Sequence, residues 1–169
     1  MFCCRFLVCN GQMLAGHAAV RFVDAVVELD GCTFDLNSRA AYLGSSDPSP
    51  HGVLTNVVRN CTFRRNHTVG SNAAGLQTFS YGGAIVENCV FEDNYSPNGN
   101  WSPALRCATS YANIPCVVRD SLFVGNRARE SSSAAVMIDR SNAAPPAEFV
   151  RCRFIGNRFE TNTGDQKGA

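Results

Sequence analysis

The sequence predicts an all-β fold: a right-handed parallel β-helix, or solenoid, of about five full coils plus a partial one. Three observations predict it. First, a phrase of pattern Cys/Ser-x-Phe-x-x-Asn occurs as Cys32–Asn37, Cys61–Asn66, Cys89–Asn94, Ser121–Asn126 and Cys152–Asn157, with a weaker copy at Cys4–Cys9 whose Asn10 comes one place late. Second, the motif starts are separated by 28, 29, 28, 32 and 31 residues, a period that marks stacked repeats. Third, each full phrase sits between the same two neighbours, a short apolar segment before it and a small-residue unit after it. Units that follow one another in constant order place equivalent strands parallel, and parallel crossovers are right-handed.

The element before the phrase is Val26–Leu29, Val57–Val58, Ile85–Val86, Val117–Val118 or Phe149–Val150. β-Branched residues dominate it, which suits a strand. Gly31, Asn60, Asn88, Asp120 or Arg151 then stands immediately before the motif's first residue. Four of these five tolerate left-handed backbone. Val58 and Cys61 are three apart, so a straight strand would send them to opposite faces. A bend at Asn60 lets Val58, Cys61 and Phe63 all point inward.

The phrase itself is a second strand. Phe34, Phe63, Phe91, Phe123 and Phe154 are expected to form an internal aromatic column. Asn37, Asn66, Asn94, Asn126 and Asn157 are expected to form a ladder at a turn, hydrogen-bonded from coil to coil. A turn leads to an Ala-led strand: Ala18–Val20, Ala40–Leu43, Ala74–Leu76, Pro103–Leu105 and Ala134–Ile138. Variable loops rich in Ser, Pro, Gly and Asn close each coil and account for the drift in the period. A leucine-rich-repeat horseshoe shares the period, but it needs a Leu-dominated consensus that this chain lacks.

At 169 residues the whole chain, 1–169, is expected to be one β-helix domain, with motif-bearing coils near 4, 32, 61, 89, 121 and 152 and both ends uncapped. It reads as a fragment of a longer solenoid. The net charge of +1 with 17% charged residues offers no basic surface for nucleic acid. No stretch approaches the length of a membrane span. Nine Cys suit either disulfides or burial. Four of the five full motifs hold Cys at one repeat position, so a column of buried free thiols is the better account of these. Cys107 and Cys116 lie off that column, and their spacing alone leaves pairing open.

Just upstream of the motif, Asp30, Arg59, Glu87, Arg119 and Arg151 are expected to place acid, base, acid, base and base on successive coils. Asp35, then Arg64 and Arg65, then Glu92 and Asp93 repeat the theme in the motif turn. Carboxylates flanked by Arg suit ion pairs, whereas a glycosidase needs one that holds a proton. Asp93 and Asp120 are the weak alternative for a catalytic pair. His17, His51 and His67 are scattered, with no metal spacing and no nucleophile motif. No catalytic residue, metal ligand or cofactor is therefore assigned. Tyr95, Trp101 and Tyr111 are candidate sugar-stacking aromatics. Of four Asn-x-Ser/Thr sequons, Asn100 is the candidate glycosylation site, since Asn66 and Asn94 belong to the ladder.

The recurrent Val-x-Asn-Cys-x-Phe-x-x-Asn phrase resembles the repeats of polymorphic outer-membrane proteins and other right-handed β-helix proteins of the pectin-lyase-like superfamily. The resemblance spans essentially the whole chain. It implies an extracellular or cell-surface scaffold, adhesin-like and non-catalytic, that presents loops to carbohydrate or to a partner protein. The alternative it implies is a carbohydrate-active enzyme, a polysaccharide lyase or glycoside hydrolase. Uncapped coils also make end-to-end self-association an expectation, and a non-functional fragment is a third reading.

Overall fold

A computed structural model describes residues 5–7, 18–23, 27–44, 55–69, 73–79, 84–98, 102–109, 116–129, 133–140 and 146–160. Every strand pair is parallel, and the strands fall into four sheets of six, five, four and five strands that wall a solenoid.

The motif wall carries Arg5–Leu7, Thr33–Asp35, Thr62–Arg64, Val90–Glu92, Leu122–Val124 and Arg153–Ile155. The valine wall precedes it in each coil, with Glu28–Asp30, Asn56–Arg59, Ala84–Glu87, Cys116–Arg119 and Glu148–Val150. The alanine wall closes each coil with Val20–Val23, Ala41–Gly44, Leu76–Phe79, Leu105–Thr109 and Val136–Arg140. The weak first copy of the motif is a genuine rung, with Phe6 in register with Phe34.

One wall was absent from the sequence reading, which has a turn where it stands. His67–Val69, Tyr95–Asn98, Arg127–Ala128 and Arg158–Phe159 form a fourth sheet directly after each ladder Asn. The coil count also differs. Among the described residues, coils 56–79, 84–109 and 116–140 carry all four strands, so three coils are complete where five were expected.

The inward residues are set by two corners. Gly31, Asn60, Asn88, Asp120 and Arg151 have φ of 51–63°, the left-handed bend expected before the motif. Val58, Cys61 and Phe63 are accordingly all buried. The second corner stands one residue before each ladder Asn, at Leu36, Arg65, Asp93, Gly125 and Gly156, with φ of 50–65°.

Phe34, Phe63, Phe91, Phe123 and Phe154 stack with ring centroids 4.7–4.9 Å apart and interplanar angles of 1–7°. The Asn ladder runs alongside. Asn66 Oδ1 accepts from the Asn37 backbone N–H and from Asn37 Nδ2, each at 3.0 Å. Asn66 Nδ2 donates to Phe34 O at 3.1 Å and to Asn94 Oδ1 at 2.9 Å. Asn94 and Asn126 repeat the pattern, and Asn157 Nδ2 donates to Phe123 O. Each buried amide thus satisfies a backbone N–H and a backbone carbonyl of the preceding coil and donates to the next Asn, which is why one residue type recurs there.

Cys32, Cys61, Cys89 and Ser121 form the buried small-residue column, and the cysteines are free thiols. Cys61 Sγ donates to Arg59 O at 3.1 Å and Cys89 Sγ to Glu87 O at 3.2 Å. The hydrogen bond with Cys89 first, and burial second, push the Cys61 thiol upward, so it stays protonated.

The charge registry holds with one correction. Arg59 pairs with Glu28 and lies 4.0 Å from Asp30, and Arg119 meets Glu87 at 3.1 Å. Val150, however, is the residue in register with Arg119. Arg151 stands one place later, at the corner, where its guanidinium grips Asp120 through two hydrogen bonds of 2.6 Å.

Candidate functional site

The fourth wall builds the candidate site. Its strands start right after a ladder Asn whose amide is locked, so the first residue of each is forced outward and the second inward. Thr68, Ser96 and Ala128 point in and are fully buried. His67, Tyr95, Arg127 and Arg158 stand in register on the outside. Neighbouring rungs of a parallel sheet lie about 4.8 Å apart, so these four side chains make a continuous strip along the solenoid axis.

The strip floors an open groove of about 530 Å³, flanked at the second corner by Arg65, Asp93 and Gly125. The Arg127 guanidinium carbon lies 5.1 Å from the centroid of the Tyr95 ring, a cation–π distance. Arg127 also meets Glu160 at 3.3 Å, and Arg158 reaches the same carboxylate at 3.7 Å. Arg65 is held by Asp35 through an Nε hydrogen bond of 2.8 Å. The groove therefore offers a half-buried aromatic ring, an exposed imidazole and guanidinium groups whose positions are fixed by carboxylates. Such an array can stack on an apolar ring face and donate hydrogen bonds to hydroxyl or carboxylate oxygens.

A second groove, of about 490 Å³, lies at the first corner and is lined by Arg59, Asn60, Glu87, Asn88 and Asp120. Asn88 Nδ2 donates to Asn60 Oδ1 and Asn60 Nδ2 to Asp30 Oδ1, each at 2.8 Å, so an exposed amide ladder runs up this corner. Hydrogen bonding from Arg151, opposed only in part by desolvation, holds the Asp120 carboxyl below the usual carboxylate range. Asp93 belongs to the other corner column, so the structure does not join it to Asp120 in one groove.

Of the residues singled out in the sequence, Tyr95 lies in the first groove. Trp101, Tyr111 and Asn100 lie outside the described residues. His67, Arg127 and Arg158 were missed as partners of Tyr95. Their signal was positional, since each follows a ladder Asn. Among the described residues no cluster of His, Cys, Asp and Glu has the arrangement of a metal site. No described helix is long and apolar enough to cross a membrane.

Comparison with known proteins places the architecture in its class. Residues 4–167 match the model of the right-handed β-helix region, and the chain belongs to that family. Membership fits the pectin-lyase-like superfamily that the motif resembles. The chain is also similar to metabotropic glutamate receptor-like protein R of Dictyostelium discoideum, with 31% identity over 135 residues. That match covers 76% of this chain and 7% of the relative's length. No solved structure gave a significant match.

Proposed function

We propose that this β-helix is a non-catalytic binding module, extracellular or displayed at a cell surface, that takes carbohydrate along the outer groove of the fourth wall. The observation that carries the reading is the strip itself: His67, Tyr95, Arg127 and Arg158 in register, with Arg127 stacked over Tyr95. A glycan laid along the axis would meet one such side chain per rung. Trp101 and Tyr111 remain candidate contacts, and Asn100 a candidate glycosylation site, on the same proposal. The receptor-like name of the relative is in keeping with surface display. Head-to-tail association of copies through the terminal coil belongs to the same scaffold reading.

The test is glycan binding by the purified chain and by Tyr95→Ala. A conservative pair of binding and folding measurements separates site from scaffold, because Tyr95 points outward. Expected is retention of wild-type thermal stability within about 1 kcal/mol and a loss of affinity of about tenfold, the size of one aromatic stacking contact. Unchanged affinity in Tyr95→Ala, or no glycan bound at all, would sink the proposal.

A specific observation favours a second reading, a carbohydrate-active enzyme: Glu87 and Asp120 line one groove. Both are tied to Arg, and the depressed pKa of Asp120 suits a permanent carboxylate better than a proton donor. Release of reducing ends or unsaturated products from a polysaccharide panel, lost in Asp120→Asn, would establish this second reading in place of the first.

A further inference from the structure

Four Asn-x-Ser/Thr sequons stand in the chain, at Asn60, Asn66, Asn94 and Asn100, the last of them outside the described residues. A folded chain can carry an N-linked glycan only where the side-chain amide can give up one of its two hydrogens and a sugar has room. The hydrogen bonds of the stack sort the other three sequons on that ground. Asn66 Nδ2 donates to Phe34 O and to Asn94 Oδ1, and Asn94 Nδ2 donates to Phe63 O and to Asn126 Oδ1. Both hydrogens of each amide are in use, and both residues are fully buried, as are Thr68 and Ser96, which complete their sequons. A sugar on either nitrogen would break the ladder. Asn60 is placed differently. It is exposed at the first corner, where its φ is 55°. Its Nδ2 donates to Asp30 Oδ1 at 2.8 Å and, among the described residues, to nothing else. The next rung uses the other atom of the amide, since Asn60 Oδ1 accepts from Asn88 Nδ2. One amide hydrogen is thus left over on an exposed side chain. The repeat does not impose this sequon. Thr33, Thr62, Val90, Leu122 and Arg153 share a register position, and only in the coil of Asn60 does a hydroxyl there follow an Asn at the corner.

We infer that Asn60 carries an N-linked oligosaccharide when the chain is made in a secretory compartment that glycosylates Asn-x-Ser/Thr. The inference rests on the reading of the chain as extracellular or displayed at a cell surface. The donor is a lipid-linked oligosaccharide diphosphate. The Asn60 amide nitrogen attacks the anomeric carbon of its first sugar. A C–N bond forms, the bond from that carbon to the diphosphate oxygen breaks, and its electron pair leaves with the lipid diphosphate. One N–H bond of the amide is lost, and its proton passes to a base of the transferring enzyme. Nδ2 keeps one hydrogen, which suffices for Asp30, and Oδ1 still accepts from Asn88. The corner ladder therefore survives the modification.

The position gives the modification a consequence. Asn60 lines the first-corner groove with Arg59, Glu87, Asn88 and Asp120, and it is not among the residues that line the groove of Tyr95. An oligosaccharide anchored there stands over Glu87 and Asp120 and leaves the strip on the fourth wall uncovered. A polymer is thereby kept from the two carboxylates while a ligand still reaches Tyr95.

The experiment expresses the full chain with an added signal peptide in a eukaryotic secretory host, so entry to the compartment does not depend on the surface reading. The secreted protein is treated with peptide N-glycosidase, which converts a glycosylated Asn to Asp, and is then digested with trypsin. Asn60 falls in peptide 60–64, and the other three sequons fall in peptide 66–106. Peptide 60–64 should show the amide-to-acid mass change. Fragmentation of peptide 66–106 should find Asn66 and Asn94 unconverted. Before glycosidase treatment, the intact mass should fall by one oligosaccharide in Asn60→Gln and in Thr62→Val, and should keep it in Thr62→Ser. Thr62→Val leaves the Asn60 amide in its ladder and copies Val90, the register partner on the next coil, so it separates loss of the sequon from damage to the corner. An unconverted peptide 60–64 from the secreted wild-type chain, or a glycan on Asn66 or Asn94 of the folded protein, overturns the inference. Neither result touches the binding test on Tyr95, and failure of that test leaves the result at Asn60 standing.

Discussion

Asp35 shows what a carboxylate does in this stack. It is buried, yet its charge is kept because Arg65 and Arg64 on the next coil both reach it. The hydrogen bond from Arg65 is the largest influence and lowers its pKa, burial opposes it, and Arg64 lowers it further. A carboxyl with a folded pKa below its unfolded value stabilises the fold above the unfolded value, near pH 3.9. That contribution is lost as pH falls through the folded value. Asp35→Asn should therefore be less stable than wild type near pH 7, and the gap should narrow steadily below about pH 4 as the wild-type carboxyl takes up its proton. Urea unfolding midpoints of both proteins across that range check this, and a gap independent of pH would show that charge is not what Asp35 contributes. The same residue-scale logic governs the ladder. Asn94 satisfies Asn66 N–H and Phe63 O in a fully buried place, where each orphaned group costs about 1–3 kcal/mol.

At the scale of the element, the close approach of consecutive coils on the alanine wall explains its small residues. Gly75 donates its N–H to Pro103 O and accepts from Ala41 N–H, each at 3.0 Å. A Cβ added there would lie 2.4 Å from Ala104 O, a backbone atom that cannot swing aside. Gly75→Ala gains about 0.4–1 kcal/mol by restricting the unfolded chain. Overpacking of about 1–3 kcal/mol works against it and should win. The expected outcome is a lower melting temperature and urea midpoint, while equal or higher stability would mean that the alanine wall yields more easily than its hydrogen bonds suggest. This wall was legible in the sequence because Ala40–Ala41, Ala74–Gly75 and Ala134–Ala135 repeat in composition. The Phe and Asn columns and the first corner were legible for the same reason. The fourth wall was not, because its outward residues share a position but no chemistry: His67, Tyr95, Arg127 and Arg158. Its inward residues, Thr68, Ser96 and Ala128, are small and mixed, and two of its strands are only two residues long. Leu36 and Arg65 likewise hid the second corner, since neither favours left-handed backbone. The candidate groove therefore had to wait for the register between coils, which brings Tyr95 beside Arg127 across 32 residues of chain.

The whole molecule behaves as a one-dimensional stack, so a residue's worth depends on how many coils flank it. Phe91 is enclosed between Phe63 and Phe123, with centroids 4.9 and 4.7 Å away, and is fully buried. Phe154 stacks on Phe123 alone and is 51% exposed. Phe91→Ala should cost about 3–5 kcal/mol, the usual loss for a buried phenylalanine, and Phe154→Ala clearly less. The face that Phe154 leaves open continues through exposed Ile155, Val150 and Ile138. The strands that carry them, with Arg158–Phe159, are the edge strands of all four sheets at that end. Edges of this kind present unpaired backbone beside apolar side chains, and a further coil of the same repeat satisfies both at once. The occupant we propose is a second copy of the chain, joined head to tail in a contact that does not close on itself. Sedimentation velocity over a concentration series should show wild-type mass rising with concentration. Phe154→Ser should stay monomeric over the same range, with its folded state intact because the ring it removes is half exposed and meets only Phe123, stacked, and Phe149, tilted at 6.2 Å. Concentration-independent wild-type sedimentation, or association undiminished in Phe154→Ser, would show that the terminal coil is not where copies meet.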